Sequence, residues 1–393
     1  MRSTLALLAL GAASVSAVAV PPSIDQMKRN IIARQSKNSL VKRNSVTTGA
    51  SDAVILEFAL ILEHLENVFY SEALQKFSEA DFEAAGYKGV YPLLEQVAYD
   101  EATHVEFLTT ALKAAGVENP PQQCTYGFPY SDVKGFLGLS QVIENVGVSA
   151  YLGAAGDISD PGYVTAAGSI LTVEARHNGF IRLLNSYTPF PAPFDTPQSA
   201  ANVVSIVSPF FKSCPEGSAP AIKGPPGLTV SSGLAAKMGD TITLAPTNSS
   251  EVDLSKYKVY CGFASSLDAA FTEYENGSCK VPTENITTGQ TYVTLTRWTT
   301  LEDKFVLAGP GIIDTTPQNS TVTIPSPAAA SNSSSASSTA MASSSAMPTE
   351  SAMSSMSAMG SMSSMASMPV ASIRSVVSSV VASVRAPSAS ASA

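Results

Sequence analysis

Two of the three histidines in the sequence follow a glutamate by three residues, in the motifs Glu101-x-x-His104 and Glu174-x-x-His177. Residues i and i+3 of a helix lie on the same face, so each motif can aim one carboxylate and one imidazole at the same point. Carboxylate and imidazole groups are common ligands of divalent transition metals. The two motifs therefore indicate a metal site.

Two further glutamates supply the other half of such a site. Glu63 precedes Tyr70 by seven residues, and Glu144 precedes Tyr151 by the same spacing. The chain thus runs twice through the order Glu, then Glu-x-x-His, which is an internal repeat of two helical hairpins. One Glu from each of two helices, with Glu-x-x-His from each of the other two, is the arrangement of di-iron and di-manganese carboxylate proteins.

Charge balance explains why such a site needs these residue types. Two divalent ions about 3.5–4 Å apart repel each other, and carboxylates that bridge them offset the repulsion. Four glutamates match the charge of two divalent ions, and two neutral imidazoles complete the coordination. A site rich in oxygen and poor in nitrogen suits iron or manganese. Four buried glutamates without a metal would be very costly unless they were protonated.

Neighbouring residues leave alternatives open. Glu66 shares the helix face of Glu63 and is either the ligand in its place or a group behind the ligands; the repeated spacing to tyrosine favours Glu63. His64 lies about 100° around the helix from Glu63, which predicts a packing or surface residue. Tyr70 and Tyr151 either pack within the bundle or hydrogen-bond a ligand carboxylate.

Residues 50–215, which carry all these motifs, have the pattern of a helical region. Apolar residues recur at spacings of three and four with few breakers, and Gly or Pro marks the end of each run. Four long helices and a short one predict a four-helix bundle. The helical patterns cover about residues 54–74, 91–115, 131–155, 163–187 and, as the short one, 196–211.

Three segments of this region resemble the ferritin-like superfamily: Leu62 to Tyr70, Asp100 to His104, and Val173 to His177. The sequence is more closely similar to the secreted fungal branch of stress-response and late sexual-development proteins, which is related to plant desiccation-related proteins. The resemblance covers under half of the chain and implies a mainly α, ferritin-like four-helix bundle. It implies two Fe or two Mn ions, with Glu101 and Glu174 as the bridging ligands. The implied ligands are Glu63, Glu101, His104, Glu144, Glu174 and His177.

Residues 218–322 have a different character, with short alternating runs of Thr, Val and Tyr between turn residues. This pattern predicts a small β-sandwich-like domain with Trp298 in its core. Asp100 and Glu106, in the helical region, are predicted to face solvent. The cysteines allow three connectivities, and we expect Cys124–Cys214 and Cys261–Cys279, since each pair then lies within one region.

The second half of the chain carries all the sequons and a low-complexity tail. Five Asn-x-Ser/Thr sequons, none of them in the helical region, predict N-glycosylation. Residues 323–393 are rich in Ser, Ala and Met, and are predicted to form a disordered stalk. The sequons begin at Asn248, Asn276, Asn285, Asn319 and Asn332.

The N-terminus predicts secretion. Residues 1–19 combine an early positive charge, a short apolar run and small residues, which is the pattern of a signal peptide. Residues 20–43 are basic and end in Lys42-Arg43, which predicts either a removable pro-segment or a disordered leader. No later stretch reaches the roughly 18 apolar residues that a transmembrane helix requires. We therefore expect the protein in the extracellular space or the cell wall.

Composition narrows the function classes. The chain has 393 residues and a net charge of −9, which argues against a nucleic-acid-binding protein because phosphate contacts need a basic face. Three classes fit the motifs. The first is a secreted metal-dependent oxidase or peroxide-handling enzyme that acts in stress or development. The second is a cell-surface structural or stress protein that uses the bundle as a scaffold in contact with cell-wall components. The third is a metal-binding protein without turnover.

Overall fold

The computed structural model describes residues 51–317. The predicted signal peptide (1–19), the pro-segment (20–43), the Ser/Ala/Met-rich tail (323–393) and the sequons at Asn319 and Asn332 lie outside the described residues. Within residues 51–317, none of the helices combines the length and the apolar character that a membrane span demands.

Four long helices form two hairpins. The first long helix packs along the second and the third along the fourth, and the first also contacts the third, which joins the hairpins. A short helix separates the first two, and another follows the fourth. The helices are α1 (Asp52–Lys76), α2 (Glu79–Ala84), α3 (Tyr91–Ala114), α4 (Val133–Ala154), α5 (Pro161–Leu184) and α6 (Ala200–Val207).

Local chemistry determines where several helices begin. The Asp132 carboxylate accepts a hydrogen bond from the backbone N–H of Gly135 and caps α4. Asp160 caps α5 in the same way, and Pro161 occupies the first helical position, where its missing N–H costs nothing. Ser199 caps α6. The caps at Asp132 and Asp160 hold the starts of the two helices of the second hairpin.

Nine strands form three antiparallel sheets within the described residues. A two-stranded sheet pairs β1 with β2, a three-stranded sheet has the order β3-β4-β7, and a four-stranded sheet has the order β6-β5-β8-β9. The strands are β1 (Thr125–Tyr126), β2 (Phe211–Ser213), β3 (Leu228–Val230), β4 (Thr241–Pro246), β5 (Tyr260–Ser265), β6 (Asp268–Glu273), β7 (Ser278–Lys280), β8 (Gln290–Thr296) and β9 (Val306–Asp314).

The two larger sheets enclose one core and the four-stranded sheet packs on the bundle with its other face. Side chains alternate between the faces of a strand. Phe263 and Val293 accordingly belong to the core between the sheets, whereas Ala264 and Tyr292 belong to the core of the bundle. All residues of β8 are buried for this reason. The predicted mainly α bundle followed by a β-sandwich-like region is confirmed.

Buried polar contacts link this sheet to the second helical hairpin. The Arg182 guanidinium of α5 lies 2.6 Å from the Asp314 carboxylate at the end of β9, and both side chains are fully buried. Gln141 of α4 donates to the same carboxylate at 3.1 Å. The Tyr292 hydroxyl lies 2.7 Å from that of Ser149 on α4. The sheet therefore supports α4 and α5 directly.

Both predicted disulfides are present, Cys124–Cys214 and Cys261–Cys279. The second joins β5 to β7 and so connects the two large sheets. The prediction for Trp298 is wrong: it lies in the loop after β8 with 61% of its surface exposed. Smaller aliphatic side chains and Phe263 fill the core instead.

The sequons within the described region occupy exposed positions. Asn248, Asn276 and Asn285 are all exposed. Their side chains are therefore accessible to the glycosylation that the sequence predicts, which stays a prediction.

Candidate metal centre

Six side chains from four helices converge at the middle of the bundle. Glu63, Glu101, His104 and Glu174 form a first group whose candidate ligand atoms all lie within 4.8 Å of one another. Glu101, Glu144, Glu174 and His177 form a second group by the same measure. The structure thus brings together all six residues that the sequence singles out. Glu101 and Glu174, the two predicted bridges, are common to both groups.

The Glu-x-x-His spacing on α3 and α5 places each histidine against carboxylates of other helices. Nδ1 of His104 lies 3.1 Å from Oε2 of Glu63, 3.2 Å from Oε2 of Glu101 and 3.4 Å from Oε1 of Glu174. Nδ1 of His177 lies 2.8 Å from Oε1 of Glu101. All four long helices therefore meet at this cluster, which α1 enters through Glu63 and α4 through Glu144.

Two tyrosines hold the carboxylates that α1 and α4 contribute. The Tyr151 hydroxyl donates to Oε1 of Glu63 at 2.5 Å, and the Tyr70 hydroxyl donates to Oε1 of Glu144. Each tyrosine thus reaches across to the glutamate of the other hairpin. The sequence allows either packing or a hydrogen bond for these tyrosines, and in the structure each tyrosine hydrogen-bonds a glutamate of the cluster. Orientation of metal ligands by such outer groups is a common feature of metal sites.

Asp100 contacts the cluster, although the sequence predicts that it faces solvent. Oδ2 of Asp100 lies 3.2 Å from Nε2 of His177, and the side chain is only 30% exposed. Gln96 donates to its other oxygen at 2.8 Å. A carboxylate behind a metal-binding imidazole fixes the orientation of its ring. Glu106, the other residue expected to face solvent, is half-buried.

No spacing rule predicts the contact of Asp100 with His177, because Asp100 lies on α3 and His177 lies on α5.

His64 occupies the place the sequence predicts. It is buried, and its Nε2 lies 3.1 Å from the carbonyl oxygen of Pro121, outside the cluster. Burial lowers its pKa.

Burial raises the pKa of most carboxylic acids in the cluster. It raises the pKa of Glu144 to about 8, and that of Glu174 rises well above the ordinary value. Glu101 behaves differently: burial alone would raise its pKa, but hydrogen bonds from His104 and His177 hold it at about 2. The two histidines therefore favour the ionised form of Glu101.

The carboxylates in turn raise the pKa of both histidines. Burial by itself would lower the pKa of His177, but attraction to Glu144 and hydrogen bonds to Asp100 and Glu101 raise it to about 11. The pKa of His104 is raised in the same way, against the effect of burial, by hydrogen bonds to three glutamates. Without a metal, imidazolium protons supply positive charge that the site demands.

The donor set fits a pair of divalent ions. Among residues 51–317, Oε2 of Glu174 and Oε2 of Glu144 are buried atoms of the cluster that lack a hydrogen-bond partner. A buried polar atom without a partner is costly. These atoms belong to the two four-residue groups, so cations held there would satisfy them.

An open cavity reaches the histidine side of the centre. Its volume is about 480 Å³, and both His104 and His177 line it. α3 and α5 form its walls, with apolar side chains such as Val97 and Phe180 beside the polar Asp100. The cavity gives small molecules a route to the cluster from solvent.

Comparisons with known proteins agree with this architecture. Residues 51–186 match the family model of the ferritin-like domain. A relative is protein rds1 of the fission yeast Schizosaccharomyces pombe, which is 30% identical over 163 residues. The aligned region is 41% of this chain and spans 39% of the yeast protein. Residues 51–186 therefore form a ferritin-like helical region, and the aligned part covers less than half of the yeast relative.

Proposed function

We propose that this protein binds two iron or two manganese ions at the six-residue centre and uses them for metal-dependent oxidation or peroxide consumption outside the cell. The observation that carries the proposal is the pair of four-residue groups that share Glu101 and Glu174. Two divalent ions held side by side would share carboxylates in this way. The location and a role in stress or development rest on the N-terminal pattern and the family resemblance.

Each side chain of the centre would have a distinct role in holding the metal. Glu101 and Glu174 would bridge the ions, and Glu63 with His104, and Glu144 with His177, would complete one position each. Tyr70 and Tyr151 hold one oxygen of Glu144 and Glu63, which leaves the other oxygen of each glutamate for coordination. When bound, iron or manganese would supply electrons by cycling between the +2 and +3 states.

The cavity beside the histidines supports reaction with a small oxidant. Dioxygen and peroxide are small enough to pass a cavity of about 480 Å³ that touches both imidazoles. Asp100, on its wall, holds Nε2 of His177 and so keeps Nδ1 aimed at the cluster. The buried surroundings keep bulk water from the glutamates, each of which is fully buried.

Metal content per chain tests the proposal. The protein, purified from a fungal host, should contain about two iron or manganese ions by elemental mass spectrometry. The Glu101→Ala/His177→Ala variant should lose both. The matched control is Glu95→Ala/Thr172→Ala, which changes exposed residues on the same two helices, α3 and α5. The control should keep the wild-type metal content.

Peroxide consumption and Fe²⁺ oxidation by the loaded protein separate turnover from storage. Consumption that the control retains and the double variant loses would support the enzyme. Two bound ions without turnover would leave metal binding alone. A wild type that refuses Fe²⁺ and Mn²⁺ under anaerobic reconstitution would overturn both, and the bundle would then be a scaffold.

N-terminal sequencing of protein recovered from the medium tests the location. Secretion with a new N-terminus shortly after residue 19 or after Arg43 is the expected result. Retention inside the cell with Met1 intact would contradict the proposed location while leaving the metal centre unaffected.

A further inference from the structure

The first hairpin carries a buried carboxylate that the second one lacks. Aligning the repeat on Glu63 and Glu144 places Tyr70 opposite Tyr151, each seven residues on. Three residues on, the same alignment places Glu66 opposite Gly147. Glu66 is only 3% exposed, so this difference between the halves lies inside the bundle.

The missing side chain at Gly147 makes room for Glu66. A Cβ atom built on Gly147 would lie 2.8 Å from Oε1 of Glu66 and 2.8 Å from Oε2 of Glu174. Both oxygens therefore occupy the space that a side chain would take. Glu174 belongs to both four-residue groups. Its Oε2 is among the buried atoms that lack a hydrogen bond within residues 51–317.

The surroundings of Glu66 offer its charge little other compensation. Four glutamates of the centre act on it electrostatically, Glu174 most strongly. On its other side it lines a narrow cavity between α1, α4 and α6 whose walls are otherwise apolar, apart from Gly147. A buried carboxylate in such a place needs a cation or a proton.

We propose that Glu66 is a seventh ligand of the metal centre, which binds beside Glu174 in the space left by Gly147 and makes the two ion positions inequivalent. The inference rests on the proposed function, since it assumes that the centre holds metal. Five carboxylates carry one negative charge more than two divalent ions neutralise. The ion nearer Glu66 is therefore the more tightly held of the two.

Anaerobic titration with Mn²⁺, followed by calorimetry and by electron paramagnetic resonance at low temperature, tests this role. We expect two inequivalent binding steps in the wild type. Glu66→Gln should weaken one step by about 10- to 100-fold and change the spectrum of the manganese pair. Glu66→Asp, which keeps the charge but shortens the reach, should weaken the same step. Both variants remove no apolar contact of the core, and circular dichroism verifies their folding.

Gly147→Ala approaches the same space from the other helix and should also weaken that step, because its Cβ displaces the two carboxylates. Gly138→Ala is the matched control, since a Cβ at this other glycine of α4 meets nothing within 4 Å. Glu72→Gln, at an exposed position of α1, is the control for the carboxylate variants. Both controls should bind Mn²⁺ as the wild type does.

The outcomes separate the two proposals. Wild-type protein that binds two ions, with Glu66→Gln unchanged in both steps and in its spectrum, would overturn the role of Glu66 alone. Wild-type protein that binds no Mn²⁺ would overturn the metal centre and the seventh ligand together.

Discussion

The two helical hairpins have the same motif but different surroundings. In each, a glutamate is followed after seven residues by a tyrosine, and the next long helix carries Glu-x-x-His. Outside this common set the hairpins differ. Asp100 precedes Glu101, whereas Val173 stands at the corresponding position before Glu174. Asp100 contacts a histidine of the other hairpin, which the apolar Val173 cannot do in the same way. The repeat thus builds a nearly symmetric cluster, and single substitutions within it make the two sides chemically different.

The support behind the hairpins differs as well. α4 and α5 are tied to the four-stranded sheet by the buried pair of Arg182 and Asp314 and by the hydroxyl contact of Ser149 with Tyr292. On the first hairpin, Lys76 at the end of α1 instead donates to the carbonyl of Tyr130 in the loop that leads to α4. A duplicated motif is thus supported by different contacts in its two halves.

The largest expected effect separates shared from unshared glutamates. Glu101→Ala should abolish binding of both ions, because this residue belongs to both four-residue groups. Glu63→Ala removes a residue of one group only and should leave about one ion per chain. Elemental mass spectrometry of both variants, with Glu95→Ala as the exposed control on α3, measures the difference. Equal losses in the two variants would contradict the shared role of Glu101.

Breaking the link between the sheet and the second hairpin should be the next largest effect. Arg182→Leu leaves the Asp314 carboxylate buried without its partner, which costs about 3–5 kcal/mol of the free energy of unfolding. Arg182→Leu/Asp314→Leu should recover much of this loss, since neither charge then remains. Chemical unfolding of the two variants measures the values. A single variant as stable as the wild type would show that the pair does not hold the sheet to α5.

The crossed tyrosines test how symmetric the centre is. Tyr70→Phe and Tyr151→Phe each remove one hydrogen bond to a carboxylate of the cluster, and each should lower affinity for one ion by about 10-fold. Because Glu66 acts on one side only, we expect the two variants to differ in which binding step weakens. Mn²⁺ titration resolves the steps. Identical titration curves for both variants would mean that the asymmetry does not extend to metal binding.

The last expected effect is the pH dependence of the metal-free protein. Folded Glu144 keeps its proton up to a pKa of about 8 and folded His177 up to about 11, whereas both lose it at lower pH when unfolded. The folded state thus binds more protons, so the free energy of unfolding should fall as pH rises from about 5 to 8. Glu101, with a pKa of about 2, contributes stability that is lost only below about pH 4.5.

Urea unfolding at pH 5, 6.5 and 8 measures this slope, and Glu144→Gln should flatten it. The loaded protein should show the opposite trend, because metal binding requires deprotonated ligands and so strengthens as pH rises. A metal-free protein that gains stability between pH 5 and 8 would contradict the raised pKa values of Glu144 and His177.

Much of the fold follows from residue patterns alone. The apolar spacing and the Gly and Pro breaks predict the four long helices to within a few residues of their bounds, and the cysteine positions predict both disulfides. The burial of every residue of β8 does not follow from the sequence pattern, because a strand covered on both faces loses the simple alternation of polar and apolar residues. The prediction that Trp298 lies in the core is wrong because size and hydrophobicity do not reveal whether a residue lies in a strand or in the loop beyond it.

For the centre, residue spacing predicts which side chains lie on one face of each helix, because a helical spacing of three residues is a local property. Which helix each side chain meets depends on the packing of the helices. The crossing of Tyr70 to Glu144, the contact of Asp100 with His177 and the place of Glu66 beside Gly147 depend on how the helices are rotated and shifted against one another. Packing of the whole bundle and its sheet sets those rotations and shifts, and no single segment contains them.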